Sequence, residues 1–334
     1  MITTHCAPRD NPAIKIYAPD SPYLQTSPQM YLESKRFMRF FLTYAASVCV
    51  TTCLALPAFA APAQKTPTQK TPMPAGTAAS ASSLGTTPLD RGFYDMYNLD
   101  FPQAHQQFAT WMAAHPDDPM GPVCDAAAYL FTEFHRLGVL DVQLFAEDNN
   151  FENRNKNVPD PAIKVAFDQR LDQANHLADA VLAKSPQDTR ALFVKTLANG
   201  LHGDYAQMIE KRDFAGLQYT KAASQYADQL LKIDPQHYDA YLAIGLENYI
   251  LGLKPAPVRW LLNLAGAQTN SVVGKQDMQL AATKGHYLAP FARLLLAVAA
   301  LRDHDKTKAK ELLSSLATEF PNNPLYARQL AKIQ

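Results

Sequence analysis

The sequence predicts an all-α protein built from stacked pairs of helices, and three observations carry that expectation. Four segments place apolar residues on one helical face and then stop at a proline: "YNLDFPQAHQQFATWMAAHPDDP", "RLDQANHLADAVLAKSPQD", "GLQYTKAASQYADQLLKIDPQHYDA" and "KTKAKELLSSLATEFPNNP". In each, an alanine stands twelve positions before the proline: Ala104 and Pro116, Ala174 and Pro186, Ala223 and Pro235, Ala309 and Pro321. Gly245 and Ala297 then fall where a first helix would cross closely over its partner, because a small residue lets two backbones approach and the proline ends the second helix at a corner.

The elements follow in chain order. Residues 1–60 read as an N-terminal extension and export signal. Lys35, Arg36 and Arg39 precede the apolar run "FFLTYAASVCVTTCLALPAFA", which closes on Ala58-Phe59-Ala60, the small-x-small pattern of signal-peptidase sites, so cleavage is expected after Ala60. A retained anchor is the competing reading, for which the run is barely long enough at roughly 20 residues. Thr43, Ser47, Thr51, Thr52 and Pro57 weaken it further. Residues 1–29 are rich in proline and polar groups, so Met30 and Met38 stand as alternative starts. Cys53 follows Thr52 where a lipoprotein signal needs Gly, Ala or Ser, and lipidation is not expected.

Once Cys6, Cys49 and Cys53 are removed with the signal, Cys124 is alone, which leaves no internal disulfide and no cysteine-based metal site. Export without disulfides suits a bacterial periplasm, the expected location. Residues 61–88, "APAQKTPTQKTPMPAGTAASASSLGTTP", lack apolar periodicity and cannot bury enough surface to offset their ordering entropy, so a flexible linker is predicted. The helical repeat domain is expected over 89–334.

The whole chain carries 31 basic and 31 acidic residues. That balance gives no support to nucleic acid or an anionic membrane as the main partner. Membrane contact is expected only through an uncleaved signal. GxGxxG, GxxxxGK[ST], HExxH and GxSxG are absent from the sequence, and neither a cofactor, a metal nor a catalytic residue is expected.

The small-residue and proline offsets resemble those of the tetratricopeptide repeat, whose 34-residue helix pairs carry a small residue at position 8, Ala at 20 and Pro at 32. The resemblance implies an αα-superhelix, a TPR-like solenoid, with irregular insertions because the proline spacings are not multiples of 34. The stretch "LGLKPAPVRWLLNLAGAQTNSVVGKQDMQLAATKG" fills one gap. It is similar to the linker of the eukaryotic Iml2 and tetratricopeptide repeat protein 39 family, over about the last hundred residues. In such arrays the concave wall draws on positions 2, 5, 9 and 12 of the first helices. With Gly245 at position 8 the wall becomes Asp239, Leu242, Leu246 and Tyr249, joined by Leu89, Phe93 and Met96 counted from Gly92 and by Phe291, Leu294 and Val298 counted from Ala297. This mostly apolar lining suits an amphipathic helix or apolar peptide; it is equally consistent with burial under a neighbouring segment. The function expected is an exported scaffold that binds a protein or peptide partner in the bacterial cell envelope, of unspecified oligomeric state. A structural envelope-assembly component and a metal-dependent enzyme on a helical array are the alternatives.

Four further groups have both a chemical and a plainer reading. Asp172, His176 and Asp179 share one helix face and could offer a His and two carboxylates to a metal, but that face opposes the apolar stripe and is expected to be solvated. Glu133 and His135 could pair as acid and base. Adjacent positions diverge around a helix, so a solvated Glu beside a partly buried His is the expectation. Lys195 and Asn199 match the Lys-x-x-x-Asn of repeats that clamp a C-terminal carboxylate, without a second basic helix to complete the clamp. The polar insertion 146–162, "AEDNNFENRNKNVPDPA", lacks EF-hand spacing and reads as a long solvated loop and candidate contact surface.

Overall fold

The computed structural model describes residues 84–141, 157–264 and 269–333. All of them lie in the second of two compact units, Ala75–Gln334. The export signal, most of the linker and residues 146–156 of the polar insertion lie outside the described residues. Among the described residues the regular structure is helical throughout, with no strand. The α-helices are α1 (Pro88–Tyr97), α2 (Phe101–Ala114), α3 (Met120–Arg136), α4 (Pro161–Lys184), α5 (Thr189–Asp204) and α6 (Asp213–Ile233). They continue as α7 (Tyr241–Gly252), α8 (Ala256–Leu264), α9 (Ser271–Lys284), α10 (Ala289–Arg302), α11 (Lys306–Glu319) and α12 (Pro324–Lys332). They pack as pairs, α1 with α2, α3 with α4, α5 with α6, α7 with α9 and α10 with α11; each second helix also packs on the first helix of the next pair, and α12 packs on α11.

The four prolines build one corner four times. A proline disfavours helical backbone in the residue before it, and His115, Ser185, Asp234 and Phe320 are extended, with φ of −136°, −137°, −128° and −123°. Each still donates its N–H to the carbonyl four residues back. Two residues past the proline the chain turns in, with Asp118, Asp188, His237 and Asn323 donating N–H to those same residues' carbonyls at 3.1, 3.0, 3.2 and 3.1 Å. At two corners that residue also caps the next helix, since Asp188 accepts from Ala191 N–H and Asn323 from Leu325 N–H, while Asp118, one residue before its helix's cap, accepts from Met120 N–H. The fifth second helix, α9, ends at Gly285 without a proline, which is why the proline pattern passes over it.

The small residues sit at helix crossings. Ala104, Ala174, Ala223 and Ala309 are buried on the second helices. A Cβ on Gly92 would come within 2.3 Å of the Phe108 ring, itself fully buried. On Gly245 it would lie 2.8 Å from Gly274 O and Met278 N, so α7 and α9 meet backbone to backbone. Gly274 answers from the other side, where a Cβ would fall 2.5 Å from Tyr249 N. Helix α8 is therefore an insertion within the α7/α9 pair.

The first and last pairs also touch. Tyr97 donates its hydroxyl to Tyr287 O at 2.9 Å, Asn323 donates to Tyr97 O at 2.8 Å, and the Asn98 side chain accepts from Asn322 N–H at 3.1 Å. Phe93 stacks on Tyr287 with ring centres 4.8 Å apart, while Tyr94 and Tyr97 lie against Phe320 at 5.6 and 5.3 Å. Asp90, buried on α1, meets His286 Nε2 at 2.6 Å. Burial acts to raise the Asp90 carboxyl, but hydrogen bonds from Thr87 and His286 outweigh it and hold the group below its usual range. On the other flank Asp141 accepts from Gln329 and Lys332 of α12 at 2.9 and 2.6 Å.

Candidate functional site

The predicted wall is largely interior, its N-terminal part because the ends meet and its α7 part because α9 and the start of α10 pack on it. Leu89, Phe93, Met96, Asp239, Leu242, Tyr249 and Val298 are buried, while Leu246, Phe291 and Leu294 are half-buried. Side chains with so little exposure do not line an open groove, so the placement matches the burial reading for those seven. Asp239 has a specific task there: its carboxylate accepts the N–H groups of His286, Tyr287 and Leu288 at 2.8, 3.0 and 3.0 Å, tying the start of α7 to the start of α10. Met96, Phe291 and Leu294, drawn from opposite ends of the sequence, do come together. With Tyr97, Phe131 and Tyr326 they line a narrow slot of about 20 Å³, room for a single water. Gln329 Oε1 borders it, buried and without a hydrogen-bond partner among the described residues.

An open cleft of about 470 Å³ lies instead where two of the corners come together, between the α2–α3 turn and the start of α5. His115, Pro116, Asp117, Asp118 and Pro119 form one side, and Val181, Asp188, Arg190 and Ala191 the other. Its floor is pinned by Asp118. One carboxylate oxygen accepts from Trp111 Nε1 at 2.7 Å and Arg190 Nη2 at 2.6 Å; the other takes Arg190 Nε at 2.9 Å and Met120 N–H at 3.1 Å. Arg190 also lies 5.7 Å from the Trp111 ring centre, and Trp111 stacks on His115 at 4.0 Å. This fork leaves the Asp118 and Arg190 charges matched. Asp117 is exposed and Asp188 serves as a helix cap, so the cleft has prolines for rigid walls, His115 at its edge backed by Trp111, and a surplus of carboxylate.

The remaining candidates resolve differently. Asp172, His176 and Asp179 all face solvent on α4, and Asp179 reaches Lys195 Nζ at 2.9 Å. Lys195 is committed to α4 and α6, since it donates to Asn175 at 2.8 Å and lies 5.7 Å from the Tyr226 ring centre. Asn199 donates back to Lys195 O, so these two residues do not form a clamp. The expectation for Glu133 and His135 is reversed: His135 is exposed and Glu133 is fully buried. Glu133 can stay inside because Arg136 grips it with two hydrogen bonds of 2.7 Å and Asp160 N–H adds a third at 2.7 Å. That carboxylate ties α3 to the N-terminus of α4 across the polar insertion. Of the insertion's described part, Asn157 donates to Met208 O and Asp160 caps α4.

One network escaped the sequence reading. Asp125, buried on α3, takes His105 Nδ1 of α2 and Arg170 Nε of α4, each at 2.6 Å, and His105 packs on Tyr129. Its partners stand 20 and 45 residues away, and no spacing rule in one helix reveals them. Cys124 beside it is buried, and burial pushes its thiol well above the ordinary range, so it is held as an inert neutral thiol. Among the described residues no helix is long and apolar enough to cross a membrane, and no group of three His, Cys, Asp or Glu could hold a metal. Compared with family models, curated proteins and solved structures, the chain matches none.

Proposed function

We propose that the chain is an exported, TPR-like scaffold that binds a protein or peptide partner in the bacterial cell envelope. The observation that carries the reading is the cleft between the corners. Its volume of about 470 Å³ suits a short peptide segment, and its shape is fixed before binding by the Asp118–Arg190–Trp111 fork. A partner segment bearing a basic side chain fits the exposed Asp117 and the neighbouring Asp188. The small residues at the crossings and the repeated proline corner support the TPR-like part of the reading. The order of basic, apolar and Ala-Phe-Ala segments supports export.

Recognition then belongs to the corner edge of the array and not to the first-helix wall. Cross-linking of the tagged full chain in intact bacterial envelopes tests this. Wild type should capture one defined partner that Asp117→Lys loses while keeping its melting temperature. Equal capture by both proteins would remove the cleft from the proposal, and absence of any defined partner would remove the scaffold reading itself.

A further inference from the structure

The zero net charge of the whole chain conceals a local imbalance at one end of the domain. Between Glu247 and Asp277 the sequence holds Lys254, Arg259 and Lys275 and no acidic residue. The same stretch carries five of the nine large apolar side chains exposed among the described residues: Leu253 at 45 %, Val258 at 42 %, Trp260 at 62 % and Val272 at 59 % exposure, with Val273 beside them. Topology gathers them. Helix α7 ends where α9 begins, with Gly252 pressed on Ser271, and Arg259 of α8 donates to Gly252 O at 3.1 Å.

We infer that this end of the domain docks reversibly on a bilayer surface carrying anionic phospholipid headgroups. Isolated exposed apolar residues are ordinary, but a Trp, a Leu and three Val on adjoining segments where α7 meets α9 form a patch that calls for an occupant. Lys and Arg rimming apolar residues, with Trp among them, match a headgroup boundary: the rings and branched chains enter the acyl edge while the cations stay at phosphate depth. Arg259 engages Gly252 O through one guanidinium nitrogen, and Lys254 is exposed at the rim. Lys275 shares its charge with Asp303 at 2.7 Å, so the attraction rests chiefly on Lys254 and Arg259. With a short patch and few cations the contact is weak and salt-sensitive, unlike an inserted anchor. It is independent of the corner cleft, which involves other residues.

Co-sedimentation of the full chain with vesicles tests the inference, using phosphatidylcholine alone or with about one third phosphatidylglycerol. Binding is expected to the anionic vesicles, to fall by about tenfold in Trp260→Ser and in Lys254→Glu, and to vanish at high salt. Both variants change exposed side chains, and an unaltered thermal melt confirms that they fold. Equal binding to neutral vesicles overturns the proposal, as does retention of binding by Trp260→Ser. Failure to bind either vesicle also overturns it; in that case sedimentation velocity showing a dimer that Trp260→Ser dissolves would make the patch an interface between two copies.

Discussion

Replacing Gly245 by alanine adds one methyl group in the place where α7 and α9 touch. The new carbon would start 2.8 Å from Gly274 O and from Met278 N, while ordinary contact begins at 3.4 Å. The two helices must therefore separate by about 0.6 Å, and because both obstructing atoms are backbone, no side-chain rotation relieves the clash. Overpacking of this kind costs about 2–3 kcal/mol, against a gain of about 1 kcal/mol in helix propensity. The net loss of about 1–2 kcal/mol lowers the melting temperature by about 2–8 °C in a domain of this size. Gly200→Ala is the matched control. That glycine lies within α5 with nothing inside 4 Å of an added methyl, so the same chemical change should raise stability by up to about 1 kcal/mol. Thermal and urea melts of the two variants, measured side by side, decide the matter. If Gly245→Ala melts at or above wild type, the backbone crossing is not what holds α7 to α9.

Three other outcomes follow from local physics. Burial raises the Asp204 carboxyl to about 7, above its unfolded value, so the native state holds a proton that the unfolded chain gives up, and stability falls as pH rises from about 4 to about 7. Asp204→Asn should remove that slope and stabilise the protein at pH 8 by on the order of 2 kcal/mol, a figure reduced for the side chain's partial exposure, as read from urea melts across pH. His304 sits at φ 60° in the α10–α11 turn on an exposed site, and His304→Gly should raise stability by about 1 kcal/mol in the same melts. Asp239→Ala strips three N–H groups of their acceptor at a buried site and should cost about 2–4 kcal/mol, whereas Asp239→Asn, which keeps one acceptor oxygen, should cost less.

The helices that end in proline could be read from the sequence because the rule is local: Pro116, Pro186, Pro235 and Pro321 each deny a backbone N–H and bend the residue before them. Helix α9 lacks that mark, and its partner lies across an insertion, so only Gly245 hinted that something must come close there. The site was less legible. A residue at a given position of a first helix faces inward in any helix pair, but whether it meets solvent or another helix depends on what packs there. For Phe93 and Met96 the answer is Tyr287, Phe291 and their neighbours, far along the chain. Glu133 was misplaced for a mixed reason: its counter-ion Arg136 lies only three residues on and was legible, but the third donor that completes its shell, Asp160 N–H, lies 27 residues on and beyond a polar loop. The corner cleft has its key residues in plain view at the prolines, yet the Asp118–Arg190 fork spans 72 residues and shows itself only when the corners meet.

The contact between first and last pairs changes how such a molecule can come apart. A linear stack frays from its two ends, since a terminal unit has one neighbour and every interior unit has two. Here the terminal units are neighbours, held by Asn323 to Tyr97 across 226 positions of chain. Loosening α12 therefore also removes a support of α1, so neither extremity is as free as the end of a linear stack. Most contacts in the domain are between helices adjacent in sequence and form quickly; this closing contact carries the greatest loop entropy, which makes it the natural last step of folding. Loss of the final helix would then release the beginning of the domain as well, and a terminal truncation would act on this protein as a change to its centre.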